Sequence, residues 1–337
     1  MLIGDVARRS GVSARMLRHY DSLGLVRPTG RSGAGYREYS SEDVRRIFHI
    51  ESLRSLGLSL RDVGRALDDP DFTPSDLVDD LIRQTRERIA AETELLTRLR
   101  QIDAVEPADW EEVLRVVALL QALGSKSAGR RQRAALSSVS SVEEVTVPVE
   151  ALVEAALSER DPHVAGALRW ALAQSGDDGL ALLAEGLGSP VAEVRERAVQ
   201  SVAEIQNDKA TTLLREALTS PDGVVRRHAA LALGARGVAA AIPALIDVVV
   251  EGTNDVDAAD ALGALASRPA LADRIATGLV DRLTHGAAGP SVRLRLAQAL
   301  ADVPGTTASK ALTDLSHDED RAVALTATYI LGIRDAR

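Results

Sequence analysis

The chain contains no cysteine. Disulfides, thiolate metal sites, iron–sulfur ligation and thiol redox chemistry are therefore excluded from this polypeptide. Aromatic residues are nearly as scarce, with two Trp, four Tyr and two Phe in 337 residues. Trp110, Trp170 and Tyr329 are the few beyond residue 73, which argues against an aromatic-lined pocket for small ligands. The six histidines (His19, His49, His163, His228, His285 and His317) show no pair at metal-ligand spacing. No metal site and no cofactor is expected. Nor does any run approach the roughly 20 apolar residues that a membrane-spanning helix needs, and residues 1–6 have no apolar signal core. A soluble, cytoplasmic protein without membrane contact is expected.

The chain is long enough for two or three folding units, and its charge is divided unevenly along them. The net charge is -9. Residues 1–65 carry 12 Arg against 7 Asp or Glu, a balance of +5, so the remainder carries -14. Only the N-terminal segment has the charge of a phosphate-binding surface.

That segment reads as a helix-turn-helix followed by a wing. Ile3 to Ala7 forms a short helix, broken at Ser10-Gly11-Val12 by a glycine suited to a tight turn. Ser13 caps a second helix with Met16, Leu17 and Tyr20 on one side and Arg15, Arg18 and His19 around the rest, and Gly24 stops it. A second helix of this size can enter the major groove with its cations forward. The glycine-rich run from Gly30 to Gly35 and the alternating Tyr36-Arg37-Glu38-Tyr39 then predict a hairpin. Ser40 with Asp43, and Ser59 with Asp62, open two further helices, whose inward residues are Val44, Ile47, Ile50 and Leu53, then Leu60, Val63 and Leu67.

In order and spacing, the segments IGDVARRSGVSARMLRHYDSLGLVRP, GYREYS and LRSLGLSLRDV resemble the DNA-binding domain of the MerR family. The resemblance implies a homodimer that binds a near-palindromic promoter in double-stranded DNA and distorts it, with RNA polymerase as a further partner. It places Ser13, Arg15, Arg18, His19 and Tyr20 of the recognition helix, with Tyr36 and Arg37 of the wing, at the DNA. His19 departs from the family, which usually has a second tyrosine there; this bears on base preference rather than fold.

Asp68-Asp69-Pro70 ends this domain, and Thr73, Pro74 and Asp76 start a long helix. Its seam holds Val78, Ile82, Thr85, Ile89, Leu96 and Leu99, widened by Leu81, Leu95 and Ile102. In the family this helix is the antiparallel dimer joint, so Val78, Ile82, Ile89, Leu96 and Leu99 are the expected dimerisation residues. A further amphipathic helix follows from Trp110 to Leu123. Gly124 to Ser141, rich in Ser, Arg and Gly, then reads as a linker or a frayed helix.

The rest repeats with a period near 31 residues: Ser189-Pro190 recurs as Ser220-Pro221, and Val194-Arg195 as Val225-Arg226. Val292-Arg293 leaves room for a divergent copy around Val256, and Val164 and Val323 fit as first and last members, giving about six copies. Each unit reads as an Ala/Leu-rich helix, a turn and a second helix, none able to bury its apolar face alone. These units resemble short HEAT-like repeats, of a kind also found in phycobilin lyase-related proteins. Arg195, Arg226 and Arg293 are expected to satisfy acids or carbonyls between units.

The expected architecture is mainly α: residues 1–70 a winged helix-turn-helix, 71–105 a long dimerisation helix, 106–149 a helical connector and linker, and 150–337 an α-solenoid of HEAT-like repeats. The expected function is sequence-specific transcriptional regulation, the repeats sensing an unknown protein or extended ligand. Two alternatives are a second DNA-binding surface on the repeats, which their acidic balance opposes, and an enzyme. No nucleophile–base constellation supports the latter, and the paired acids Glu143-Glu144, Asp177-Asp178 and Asp318-Glu319 fall at expected loops or helix ends.

Overall fold

The computed structural model describes residues 1–33, 35–69, 73–139, 148–284 and 288–336. Ala34 of the glycine-rich run, Pro70, the end of the expected linker at Ser141, the Glu143-Glu144 pair and His285 lie outside them. The chain divides into two compact units, residues 1–96 and 97–337.

The first unit follows its capping signals. Helix α1 (Ile3–Ser10) ends at Gly11, whose φ of 75° is the left-handed conformation that glycine adopts without strain. Helix α2 (Ala14–Ser22) is opened by Ser13, whose Oγ accepts from the Met16 amide at 3.2 Å. Strands β1 (Gly30–Arg31) and β2 (Arg37–Glu38) pair antiparallel, Gly30 opposite Glu38 and Arg31 opposite Arg37. Helix α3 (Ser41–Ser55) opens with a complete Ser40–Asp43 capping box. Burial pushes the Asp43 carboxyl up, but hydrogen bonds from Thr29 and Ser40 overcome this and hold it below the usual carboxylate value. Helix α4 (Leu60–Asp68) follows, capped by Ser59. Val6, Leu17, Tyr20, Ile47, Ile50 and Val63 form the core. Helix α5 (Pro74–Asp103) lends Leu77 and Leu81 to that core. Leu81, expected to widen the dimer seam, thus packs partly on the winged helix.

The second unit is built of helix pairs in two layers. After α5 come α6 (Trp110–Leu123) and α7 (Ala128–Ser137), then α8 (Val149–Ser158) and α9 (Pro162–Gln174). Next are α10 (Leu180–Leu187) with α11 (Ala192–Glu204), and α12 (Asp208–Ala217) with α13 (Gly223–Ala235). The series closes with α14 (Ile242–Glu251) and α15 (Asp255–Ala266), α16 (Pro269–Thr284) and α17 (Pro290–Ala299), and α18 (Thr306–Leu315) and α19 (Arg321–Asp335). One layer runs α7, α9, α11, α13, α15, α17, α19, each against the next; the other stacks α8 on α10 and α10 on α12, then α14 on α16 and α16 on α18. A single continuous core extends from Leu123 to Ile330, so each pair is completed only by its neighbours. Small residues set the spacing. A Cβ on Gly234 would lie 2.9 Å from the Ala261 Cβ, so α13 and α15 approach as closely as glycine allows.

Two expectations are sharpened here. Of the two readings of Gly124 to Ser141, the helical one holds over α7, which buries Ala134 and Ala135 and packs on α9 as the later pairs do. The physical reason is the pair of alanines, which let α7 sit close against its neighbour, together with Arg131, whose Nε donates to Glu159 at 2.7 Å. Val256, expected to match the buried Val225, is 67% exposed, and Ala258 takes the inward place on α15. Among the described residues no helix is long and apolar enough to cross a membrane.

Candidate nucleic-acid interface

Helix α2 turns Leu17 and Tyr20 into the core and leaves Arg15, Arg18 and His19 exposed. Leu17 and Tyr20 are three residues apart and share the inward face. Tyr20 is 0% exposed, its hydroxyl donating to Glu51 Oε1 at 2.5 Å and accepting from Arg54 Nη1 at 3.1 Å. Burial, and then the Glu51 carboxylate, raise its phenolic pKa, so it stays protonated and holds α2 on α3. The expectation that Tyr20 touches DNA is therefore corrected: its ring fills the core and its hydroxyl already has two partners. Ser13 is the N-cap of α2, with its side chain on the helix's own backbone.

The wing is fastened to α2 by an ion pair. Arg37 Nε donates to Asp21 Oδ2 at 2.7 Å, both side chains being about a quarter exposed. Tyr36, next to it, is 59% exposed. Because Arg31 stands directly opposite Arg37 in the hairpin, the two share one face of the wing. Arg31 is exposed and has no ion-pair partner among the described residues. Behind this surface the first residues close the sheet, Leu2 bridging Glu38 and the Tyr39 amide donating to the Met1 carbonyl at 2.9 Å. Arg15, Arg18, His19, Arg31 and Tyr36 thus remain solvent-exposed on α2 and the wing, while Arg37 is partly engaged.

Sequence reasoning missed Arg31 and Asp21. Arg31 lay inside a glycine-rich run read only as a turn, although its cross-strand place opposite Arg37 follows once the hairpin register is counted.

Residues 1–69 match the family model for MerR HTH family regulatory proteins. This segment is a MerR-family helix-turn-helix domain. Residues 180–266 match a family model described as HEAT repeats. Among curated proteins the chain is similar to an HTH-type transcriptional regulator of Pseudomonas aeruginosa, 45% identical over 67 residues, 20% of this chain and 51% of that protein. It is also similar to the HTH-type transcriptional regulator SkgA of Caulobacter vibrioides, 42% identical over 104 residues, 31% of this chain and 38% of that protein. Among solved structures, a MerR-family transcriptional regulator from Bacillus cereus is 25% identical, with a TM-score of 0.27, covering 31% of this chain and 78% of that one. The chain spans about half or less of the length of these curated relatives.

The residues expected to join two MerR chains lie bare on α5. Val78, Ile82, Ile89, Leu96 and Leu99 are all exposed, with Ile89 at 60%. In the repeat unit, arginines are used internally. Arg195 joins the Asp222 carboxylate and the Ser189 carbonyl, Arg293 joins Asp318 and the Ala288 carbonyl, and Arg236 caps the end of α11 through the Ala203 and Ile205 carbonyls. Of the paired acids, Asp177 accepts from Asn207 and Lys209, and Asp318 is held by Arg293.

Proposed function

We propose that the chain is a sequence-specific transcriptional regulator that binds promoter DNA as a homodimer. The observation that carries this reading is the Arg37–Asp21 tie, which fixes the wing against a recognition helix whose Arg15, Arg18 and His19 stay exposed. The matched family domain and the regulators it resembles support it. In this mechanism Arg18 and Arg15 enter the major groove, where guanidinium forks read guanine edges, and Tyr36 and Arg31 hold phosphates beside it. Two such domains bind successive half-sites and deform the DNA between them, the deformation cost being offset by the added contacts.

The apolar stripe of α5 is the proposed dimer joint, since so many exposed aliphatic side chains on one helix are stable in water when a partner helix covers them. Replacing Ile89 by Glu places charge on that seam, and sedimentation equilibrium reads the outcome. The dimer reading expects monomers for the variant and dimers for the parent; an unchanged mass would reject α5 as the joint.

The repeat unit is proposed as the sensing module. At its start, Gln101 near the end of α5 donates to Glu154 of α8, and beside this contact a cleft of about 1110 Å³ opens over Val153, Leu157 and Leu182. Its size is that of a ligand site. The engagement of Arg131, Arg195 and Arg293 within the repeats speaks against a second DNA surface there.

A further inference from the structure

Three joints of the repeat unit, α7 to α9, α11 to α13 and α17 to α19, are each held by an arginine that makes two contacts at once. Arg131 on α7 donates to the Ser125 carbonyl and to both carboxylate oxygens of Glu159. Arg195 on α11 donates to the Ser189 carbonyl and, through two nitrogens, to Oδ2 of Asp222, and Arg293 on α17 to the Ala288 carbonyl and Asp318. Arg226 on α13 occupies the same place. It keeps the first contact, donating to the Ser220 carbonyl at 2.7 Å, yet among the described residues no acid meets its remaining nitrogens.

The reason lies in the turn that should supply the acid. Asp222 is the N-cap of α13, and Asp318 stands two residues before the α19 N-cap Asp320. The turn before α15 instead passes through two left-handed residues, Gly252 (φ 83°) and Asn254 (φ 61°). Asn254 donates to Asp257, and the Asp255 carboxylate lies 4.0 Å from Arg295, so neither serves Arg226.

Arg226 lines a cavity of about 220 Å³ with Arg227, Leu218, Pro243 and Val248. The Nε of Arg227 is buried without a partner. Gly223 puts no side chain against the guanidinium; a Cβ there would stand 3.6 Å from Arg226 Nη2, in van der Waals contact with it. We propose that this cavity takes a single carboxylate on a short apolar stem, held by Arg226 as Glu159, Asp222 and Asp318 are held at the other joints. Planar bidentate capture of a carboxylate is what an arginine fork does well. A phosphate dianion fits less well, because Asp247 and Glu251 line the same cavity. The carboxylate can come from a free short-chain aliphatic acid or from an aspartate or glutamate side chain of a peptide.

Saturation-transfer NMR of the full chain with butyrate, with butyramide as the neutral isostere, tests this. An acetylated, amidated Leu-Glu-Leu peptide and its Leu-Gln-Leu counterpart form the second arm. Binding of butyrate but not butyramide assigns the free acid, and binding of the Glu but not the Gln peptide assigns a side chain. In either case Arg226→Gln must weaken binding by about tenfold or more. Arg226→Lys, which keeps the charge and a donor for the Ser220 carbonyl, serves as the folded control and weakens it less. Binding of neither carboxylate, or equal binding by Arg226→Gln with its circular dichroism intact, would overturn the proposal.

Discussion

Arg37 of β2 donates to Asp21 of α2 across 2.7 Å, tying the wing to that helix. A pair still about a quarter exposed contributes little to folding, about 0–1 kcal/mol. Its value lies in position. Asp21→Ala is expected to leave the melting temperature within about 2 °C of the parent while weakening promoter binding by about three- to tenfold. Unchanged affinity in an anisotropy titration would mean that the tie does not position the wing.

Arg31 is expected to hold a phosphate. Arg31→Ala should weaken binding to specific and scrambled duplexes alike and lower the slope of log K against log salt by about 1. Arg18→Ala should differ, costing about 1–3 kcal/mol on the specific duplex and much less on the scrambled one. If both variants lost affinity equally on the two duplexes, Arg18 would be a phosphate contact as well.

Tyr20 is assigned to the core. Tyr20→Phe removes its bonds to Glu51 and Arg54 and should destabilise the first unit by about 1–2 kcal/mol. DNA affinity, measured well below the melting temperature, should stay within about twofold, because deleting a hydroxyl that never meets the duplex removes no contact. A tenfold loss without unfolding would return Tyr20 to the interface.

Acid should loosen the repeats. The hydrogen bonds from Arg131 hold Glu159 below its ordinary 4.5, despite a burial that opposes them. Arg195 lowers Asp222 from 3.8 in the same way. At Asp318 burial pushes upward, but Arg293 and the Asp320 amide prevail and lower it. A carboxyl lowered in the folded state adds stability that is fully present above its unfolded value and is lost as pH falls through the folded one. The melting temperature of the repeats should therefore be level above about pH 5 and fall steeply below it. Glu159→Gln should remove part of that dependence and cost about 2 kcal/mol, since it leaves the Arg131 guanidinium without its anion.

Much of the first unit was legible because its signals are local. Ser13, Ser40 and Ser59 each cap the helix expected of them, and Gly11 supplies the left-handed turn. Tyr20 shows where motif and geometry diverge. Its spacing from Leu17 already placed it inward, but its position beside Arg18 and His19 in a DNA-binding motif suggested the opposite. The repeats were legible through their period and their alanine and leucine pattern. What was not legible was where they begin. Arg131 lies 64 residues before Arg195, close to twice the period, but its surroundings of Ser, Gly and Arg hid the helix, and its Glu159 partner is visible only in three dimensions. That Arg226 meets no acid among the described residues was likewise invisible in sequence, where Val225-Arg226 reads like Val194-Arg195.

The most direct test is an anisotropy titration of the full chain on a labelled duplex from the DNA upstream of its own gene, with a scrambled duplex alongside and salt varied. The account predicts at least about a thousandfold preference for the specific duplex, two chains per duplex at saturation and affinity that falls steeply with salt. Equal binding to both duplexes, or saturation at one chain per duplex, would contradict it.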